Sequence, residues 1–151
     1  MTPRVLLRVM IVLTVIGLAD ATYLTVVHYA GITVLCTTKH NSCAAVQASY
    51  YSKVAGVPVA LLGLIGYVGI LASLLVPERE ETRLATLALT LFGFGFSAFL
   101  TYQETFTIQG HPIYCEWCVG SAIILTVLFV LSVIRYLRPS PTSQPPSSPP
   151  E

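Results

Sequence analysis

Four cysteines are the residues of this 151-residue chain whose type and spacing carry chemistry. Cys36 and Cys43 have six residues between them, and Cys115-Glu116-Trp117-Cys118 forms a CxxC pair where an apolar run begins. A thiolate at a helix N-terminus is favoured by the helix dipole and by backbone N–H groups that lack intrahelical partners. Glu116 falls in the same first turn, where a negative charge is also favoured. Three residues along a helix set Cys118 roughly 4.5 Å deeper than Cys115. Cys115 can therefore face an aqueous loop while Cys118 faces apolar surroundings and a membrane-soluble oxidant. Cys36 and Cys43 share a segment with Gly31, Asn41 and Ser42, free enough to swing, and a swinging pair beside a fixed pair makes a relay for thiol–disulfide exchange. Two structural disulfides fit the same four residues. Zinc fits less well, because the first spacing is wider than the usual two to four residues. Haem attachment needs His directly after CxxC, and Val119 stands there.

The segments that carry these cysteines are mostly apolar. Only 10% of residues are charged and 54% are hydrophobic, with a mean hydropathy of +0.75. A soluble domain is usually about 25% charged, so an ordinary soluble enzyme is excluded. A net charge of +1 and the lack of any basic run exclude a nucleic-acid binder. Val9–Ala30 holds one acid, Asp20, and one late His28; Val54–Val76, Leu84–Gln103 and Trp117–Ile134 hold no Asp, Glu, Lys or Arg. Each passes the test of roughly 20 apolar residues for a bilayer crossing. The pattern predicts an all-α integral membrane protein: a four-transmembrane-helix bundle with helices at about 9–30, 56–76, 84–107 and 115–136. The first segment is too long for a signal-peptide core and is expected to be retained.

Arg4, Arg8, Arg79, Arg83, Arg135 and Arg138 fall on one face, and Lys39 and Lys53 on the other. The positive-inside rule places both termini in the cytoplasm and all four cysteines at the extracytoplasmic face, where disulfides persist. The long outer segment between helices 1 and 2 is expected to form a cap, with Ala44–Lys53 able to make a short helix. Pro58 is expected in the first turn of helix 2, and Pro77 to stop it. Residues 139–151, with six of the ten prolines, form a Pro/Ser-rich tail expected to be disordered.

With these residues in place, the chain resembles the bacterial stand-alone members of the vitamin K epoxide reductase family. The resemblance runs over about Val9–Arg138. Besides the cysteines it rests on Ser49, on Gly56-Val57-Pro58-Val59-Ala60-Leu61-Leu62-Gly63, and on Tyr23-Leu24-Thr25 near His28. It implies a bundle around a quinone, menaquinone or ubiquinone, in a bacterial plasma membrane, with no metal and no haem. It also implies a relay. Cys36, paired with Cys43, exchanges with a separate thioredoxin-like (DsbA-type) partner. Cys43 then attacks the Cys115–Cys118 disulfide, forming a transient Cys43–Cys115 link, and Cys118 delivers electrons to the quinone. Ser49 matches the Ser/Thr of the cap and assists at the quinone or the cysteines. The quinone pocket would draw on Ser49, Val59, Tyr114, Trp117, Cys118 and Ala122. Two positions depart from the vertebrate pattern: Ala122 stands where a Tyr is found and Val59 where an Asn is found, so the polar contacts to an epoxide ring are missing. The alternatives are a non-catalytic scaffold with two structural disulfides and a DsbB-like quinone-linked oxidase, whose CxxC lies in the first outward loop instead.

Asp20 sits near mid-bilayer, too deep for a proton relay at the outer end, so a protonated or hydrogen-bonded structural role is expected. His28, His40 and His111 show no metal spacing and read as interfacial. Tyr50, Tyr51, Tyr102, Tyr114 and Trp117 read as an outer aromatic belt. Phe92-Gly93-Phe94-Gly95-Phe96 supplies small residues for close helix packing.

Overall fold

The computed structural model describes residues 2–32, 34, 53–54, 56–106 and 115–138. They form four helices, α1 (Pro3–Ala30), α2 (Val59–Leu75), α3 (Glu80–Phe106) and α4 (Glu116–Leu137), with strands β1 (Lys53–Val54) and β2 (Val57–Pro58) ahead of α2. The helices stand in a ring: α1 packs on α2 and α4, and α3 packs on the same two.

Helix α1 starts well before Val9 because Pro3 occupies its first turn, where the fixed φ of proline suits a helix and its missing N–H costs nothing. It ends at Gly31, whose φ of 65° closes the helix through an N–H bond to the Val27 carbonyl. Helix α2 starts later than residue 56. Val54 and Val57 pair antiparallel around Gly56, whose φ of 84° suits glycine, and Lys53 faces Pro58. Pro58, with ψ 133°, is therefore the residue before the helix and not part of its first turn. This hairpin is an addition to the all-α expectation, and it takes Lys53 out of any cap helix. The rest of that segment, with Cys36, Cys43, Ser49, His40, Tyr50 and Tyr51, lies outside the described residues, as do His111, Tyr114 and the tail.

Helices α1 and α4 and the Glu80–Tyr102 part of α3 are long and apolar enough to cross a membrane; α2, with 17 residues, is apolar but shorter. At 1.5 Å per residue α2 spans roughly 25 Å and α1 roughly 42 Å, against a hydrocarbon core of about 30 Å. The outward surface is itself apolar: Phe92 is 74% exposed, Val12 57% and Ile65 60%, as expected where lipid is the solvent. The interior holds Leu6, Met10, Ala21, Tyr67, Ile70, Leu74 and Leu128. Buried threonines satisfy their hydroxyls within their own helices: Thr14, Thr25 and Thr90 donate to the carbonyl four residues earlier at 2.7–2.8 Å. Ser73 and Thr86 meet at 2.8 Å, joining α2 to α3. Between α3 and α4, Gly93 leaves room for Leu125, since a Cβ there would lie 3.1 Å from the leucine Cδ2. Phe94 stacks on Phe129 at 5.3 Å.

At the end of the bundle away from the CxxC, Glu78 in the α2–α3 loop binds Arg83 of α3 at 2.9 Å and Arg135 of α4 at 3.3 Å. Arg83 also donates to the Arg138 carbonyl at 2.8 Å. Burial pushes the Glu78 carboxyl up, but hydrogen bonds and charge from Arg83, then Arg135, outweigh it and hold the group below the usual glutamate range.

Candidate redox site

Cys115 caps the N-terminus of α4 with an extended backbone, φ −87° and ψ 116°, so that its carbonyl accepts the first helical bond, from Val119 N–H at 3.0 Å. Its side chain is fully buried, whereas Cys118, one turn on, is half-buried. The expectation that Cys115 is the more water-facing of the two is corrected: the helix-capping position tucks Cys115 under its neighbours. Glu116 and Trp117 between them are exposed, which follows from the helix period: positions 115 and 118 share the inner face and positions 116 and 117 leave it.

Trp117 packs on Tyr23 of α1, ring centroids 4.9 Å apart and planes tilted by 42°. This contact fixes the register of α1 against α4. It draws Tyr23 into the site with Trp117, and the adjacent Leu24 and Thr25 are buried. Val59, the first residue of α2, and Ala122, one turn below Cys118, are both half-buried. Cys115, Cys118 and Trp117 are thus assembled at one end of the bundle, with Ala122 directly beneath. Cys36, Cys43, Ser49 and Tyr114 fall outside the described residues.

One turn beneath the CxxC lies a polar group of three residues, of which the sequence singled out only Asp20. Tyr67 of α2, 2% exposed, crosses the ring to α4, where its hydroxyl meets the Ser121 hydroxyl at 2.9 Å and donates toward the Ser121 carbonyl at 3.3 Å. Gly17 of α1 admits the tyrosine ring: a Cβ at that position would overlap the ring and lie 2.8 Å from its hydroxyl oxygen. Asp20 is one turn on from Gly17 along α1. Both Asp20 carboxyl oxygens are buried without a hydrogen-bond partner among the described residues. The signals for Tyr67 and Ser121 were a lone tyrosine inside a charge-free run and a serine three residues after Cys118. Neither is decisive without the Gly17 gap. No group of three or more His, Cys, Asp or Glu able to hold a metal occurs among the described residues.

The model of the vitamin K epoxide reductase family matches residues 8–133, which is most of the chain and takes in the greater part of all four helices. The chain belongs to the vitamin K epoxide reductase family. Comparison with curated proteins returns no match. Membership in the vitamin K epoxide reductase family makes this an oxidoreductase of the membrane, and in general terms a thiol–disulfide oxidoreductase with quinone-related redox chemistry. The matched region begins inside α1 at Arg8 and ends in the last turns of α4. It therefore contains the CxxC and the polar group beneath it.

Proposed function

We propose that the protein reoxidises a separate thioredoxin-like, DsbA-type partner and passes the electrons to a quinone, supporting disulfide formation outside the cytoplasm. The observation that carries this reading is the CxxC at the start of α4: Cys115, buried, caps the helix, and Cys118, half-buried, follows Trp117, which packs on Tyr23 of α1. The charge asymmetry of the loops supports a plasma-membrane protein with both termini cytoplasmic and the CxxC end facing outward.

In this relay the partner's dithiol reduces the Cys36–Cys43 disulfide by attack at Cys36, and the partner leaves oxidised. The Cys43 thiolate attacks Cys115 of the Cys115–Cys118 disulfide. The 115–118 bond breaks, a Cys43–Cys115 bond forms, and Cys118 is released as thiolate. Cys36 then attacks Cys43, restoring the first disulfide and leaving Cys115 and Cys118 reduced. A quinone acting as substrate supplies the terminal acceptor, since it takes up two electrons and two protons. The residues that suit such a ring are apolar and aromatic, Val59, Ala122, Tyr23 and Trp117, with Ser49 and Tyr114 as further candidates. Nothing polar at positions 59 and 122 is available to an epoxide, so quinone reduction is favoured over epoxide reduction.

The test is quinol formation by the purified protein in lipid, fed with a reduced CxxC protein and either ubiquinone or menaquinone. Turnover is expected in the native chain and not in Cys118→Ala. The same variant is expected to accumulate a Cys43–Cys115 crosslink, read by peptide mapping. No turnover with either quinone, together with four cysteines that stay paired under mild reductant, would replace this reading with that of a scaffold held by two structural disulfides.

A further inference from the structure

Two cations on α1 face outward without a counter-ion. Arg4 and Arg8 stand one turn apart on the same face of the helix. Both are exposed, and neither has a hydrogen-bond or ion-pair partner among the described residues. The opposite face of α1, with Leu6, Met10 and Thr14, is buried in the bundle. The arginine face continues toward mid-bilayer as Val12 and Val15, 57% and 48% exposed, so its surroundings are lipid. No acidic residue precedes Asp20 in α1.

Two contacts measure how deep Arg8 lies. Tyr23 packs on Trp117, and aromatics of this kind mark a membrane interface. Arg8 is fifteen residues from Tyr23 along α1, roughly 22 Å, which leaves it inside a hydrocarbon core of about 30 Å. Arg4, at roughly 28 Å, reaches the edge of that core. The second contact is that of Gly17 with Tyr67. Arg8 is nine residues beyond Gly17, and α2 ends at Leu75, eight residues beyond Tyr67. The short helix therefore stops at roughly the level of Arg8. The carboxylates of this end are engaged elsewhere. Glu78 holds Arg83 and Arg135, while Glu80 and Glu81 line a hollow of about 380 Å³ with Arg79, Leu84 and Tyr136.

We propose that Arg4 and Arg8 clamp the phosphate of an anionic phospholipid, drawn below the plane of its neighbours where α2 stops short. A guanidinium facing lipid at this depth is costly until it meets an anion. Long side chains on a helix lean toward its N-terminus, so the Arg8 head reaches toward Arg4 and the interface. Each guanidinium offers a planar fork that matches phosphate oxygens. A zwitterionic headgroup brings an ammonium that opposes the two arginines, whereas phosphatidylglycerol brings none. Its acyl chains run along Val12 and Val15. In the orientation given above this is the cytoplasmic leaflet, whose anionic lipids attract basic residues. The clamp needs only a membrane-inserted bundle and does not depend on the quinone-reducing reading.

Native mass spectrometry of the full chain, given equal amounts of dioleoyl phosphatidylglycerol and dioleoyl phosphatidylcholine in detergent, reads the ratio of the two lipids retained. One phosphatidylglycerol is expected to be held in preference by roughly 25-fold, about fivefold for each arginine. Arg4→Gln with Arg8→Gln should bring the ratio near one. Arg4→Lys with Arg8→Lys keeps the charge and the orientation of the chain but loses both forks, and should lower the preference several-fold without abolishing it. Arg79→Gln, an exposed cation at the same end outside the clamp, should leave the ratio unchanged. Excess inorganic phosphate should not displace the lipid. A native chain without preference overturns the proposal, as does a preference that survives the glutamine pair. A lysine pair equal to the native chain, or an Arg79→Gln as weak as the glutamine pair, shows diffuse attraction by charge and overturns the clamp. Displacement by inorganic phosphate shows a site for the free ion and overturns the lipid as its occupant.

Discussion

At the scale of single residues, a missing side chain decides the interior. Gly17 exists as a gap that Tyr67 fills, and Gly17→Ala puts two opposing effects in competition. Alanine gains about 1 kcal/mol of helix propensity, whereas overpacking a fitted core costs about 1–3 kcal/mol. The second should win, because Tyr67 is almost fully buried and tied to Ser121, with nowhere to retreat. Gly17→Ala is expected to lower the unfolding midpoint in detergent, and Tyr67→Leu added to it should recover part of that loss. If Gly17→Ala proves neutral, the ring is not confined as described. The CxxC was legible in the sequence as the opening of α4, because an apolar run begins at that pair. Tyr67 was not, because a tyrosine in an apolar run looks like any interfacial aromatic until its neighbour across the ring is known. Asp20 was legible as a residue of interest, but its lack of hydrogen-bond partners among the described residues depends on how the helices pack around it.

Among the elements, charge-free windows located the helices well and their ends poorly. Lipid selects for apolar composition, while helix ends obey local rules: Pro3 extends α1 backward, and the Gly56 turn withholds Val57 and Pro58 from α2. The Glu78 junction was likewise out of reach, since it joins a loop to two arginines, one of them 57 residues away. It carries a pH dependence with a definite sign. The folded protein holds the Glu78 carboxyl below its ordinary value, so its contribution is fully present above the ordinary glutamate value of about 4.3 and is lost as pH falls through the lower folded value. Glu78→Gln should cost on the order of 1 kcal/mol at neutral pH, nearer the value of an exposed pair because Glu78 is 41% exposed. It should also flatten the acid limb of stability, measured as unfolding midpoint against pH. An unchanged acid limb in this variant would show that other carboxyls govern it.

For the molecule as a whole, the disparity between helices matters for the surrounding lipid. A bundle whose α2 spans roughly 25 Å should fit thin bilayers best, with a penalty of fractions of a kcal/mol per Å of mismatch. Unfolding midpoints are expected to fall as acyl chains lengthen, and midpoints indifferent to chain length would contradict the short α2. Four apolar helices and their order were readable from composition, because a bilayer imposes one simple rule on every segment, and three of them are long and apolar enough to cross it. How the four helices meet was not. The diagonal reach of Tyr67 also has a consequence for the order of assembly. Helices α3 and α4 close on one another through Gly93–Leu125 and Phe94–Phe129, and α1 and α2 through Gly17 and Tyr67. Each hairpin can form by itself as it enters the bilayer, but the Tyr67–Ser121 bond exists only once the two halves dock. Ser121→Ala should therefore leave hairpin formation untouched and act on the last event, raising the rate at which the halves separate.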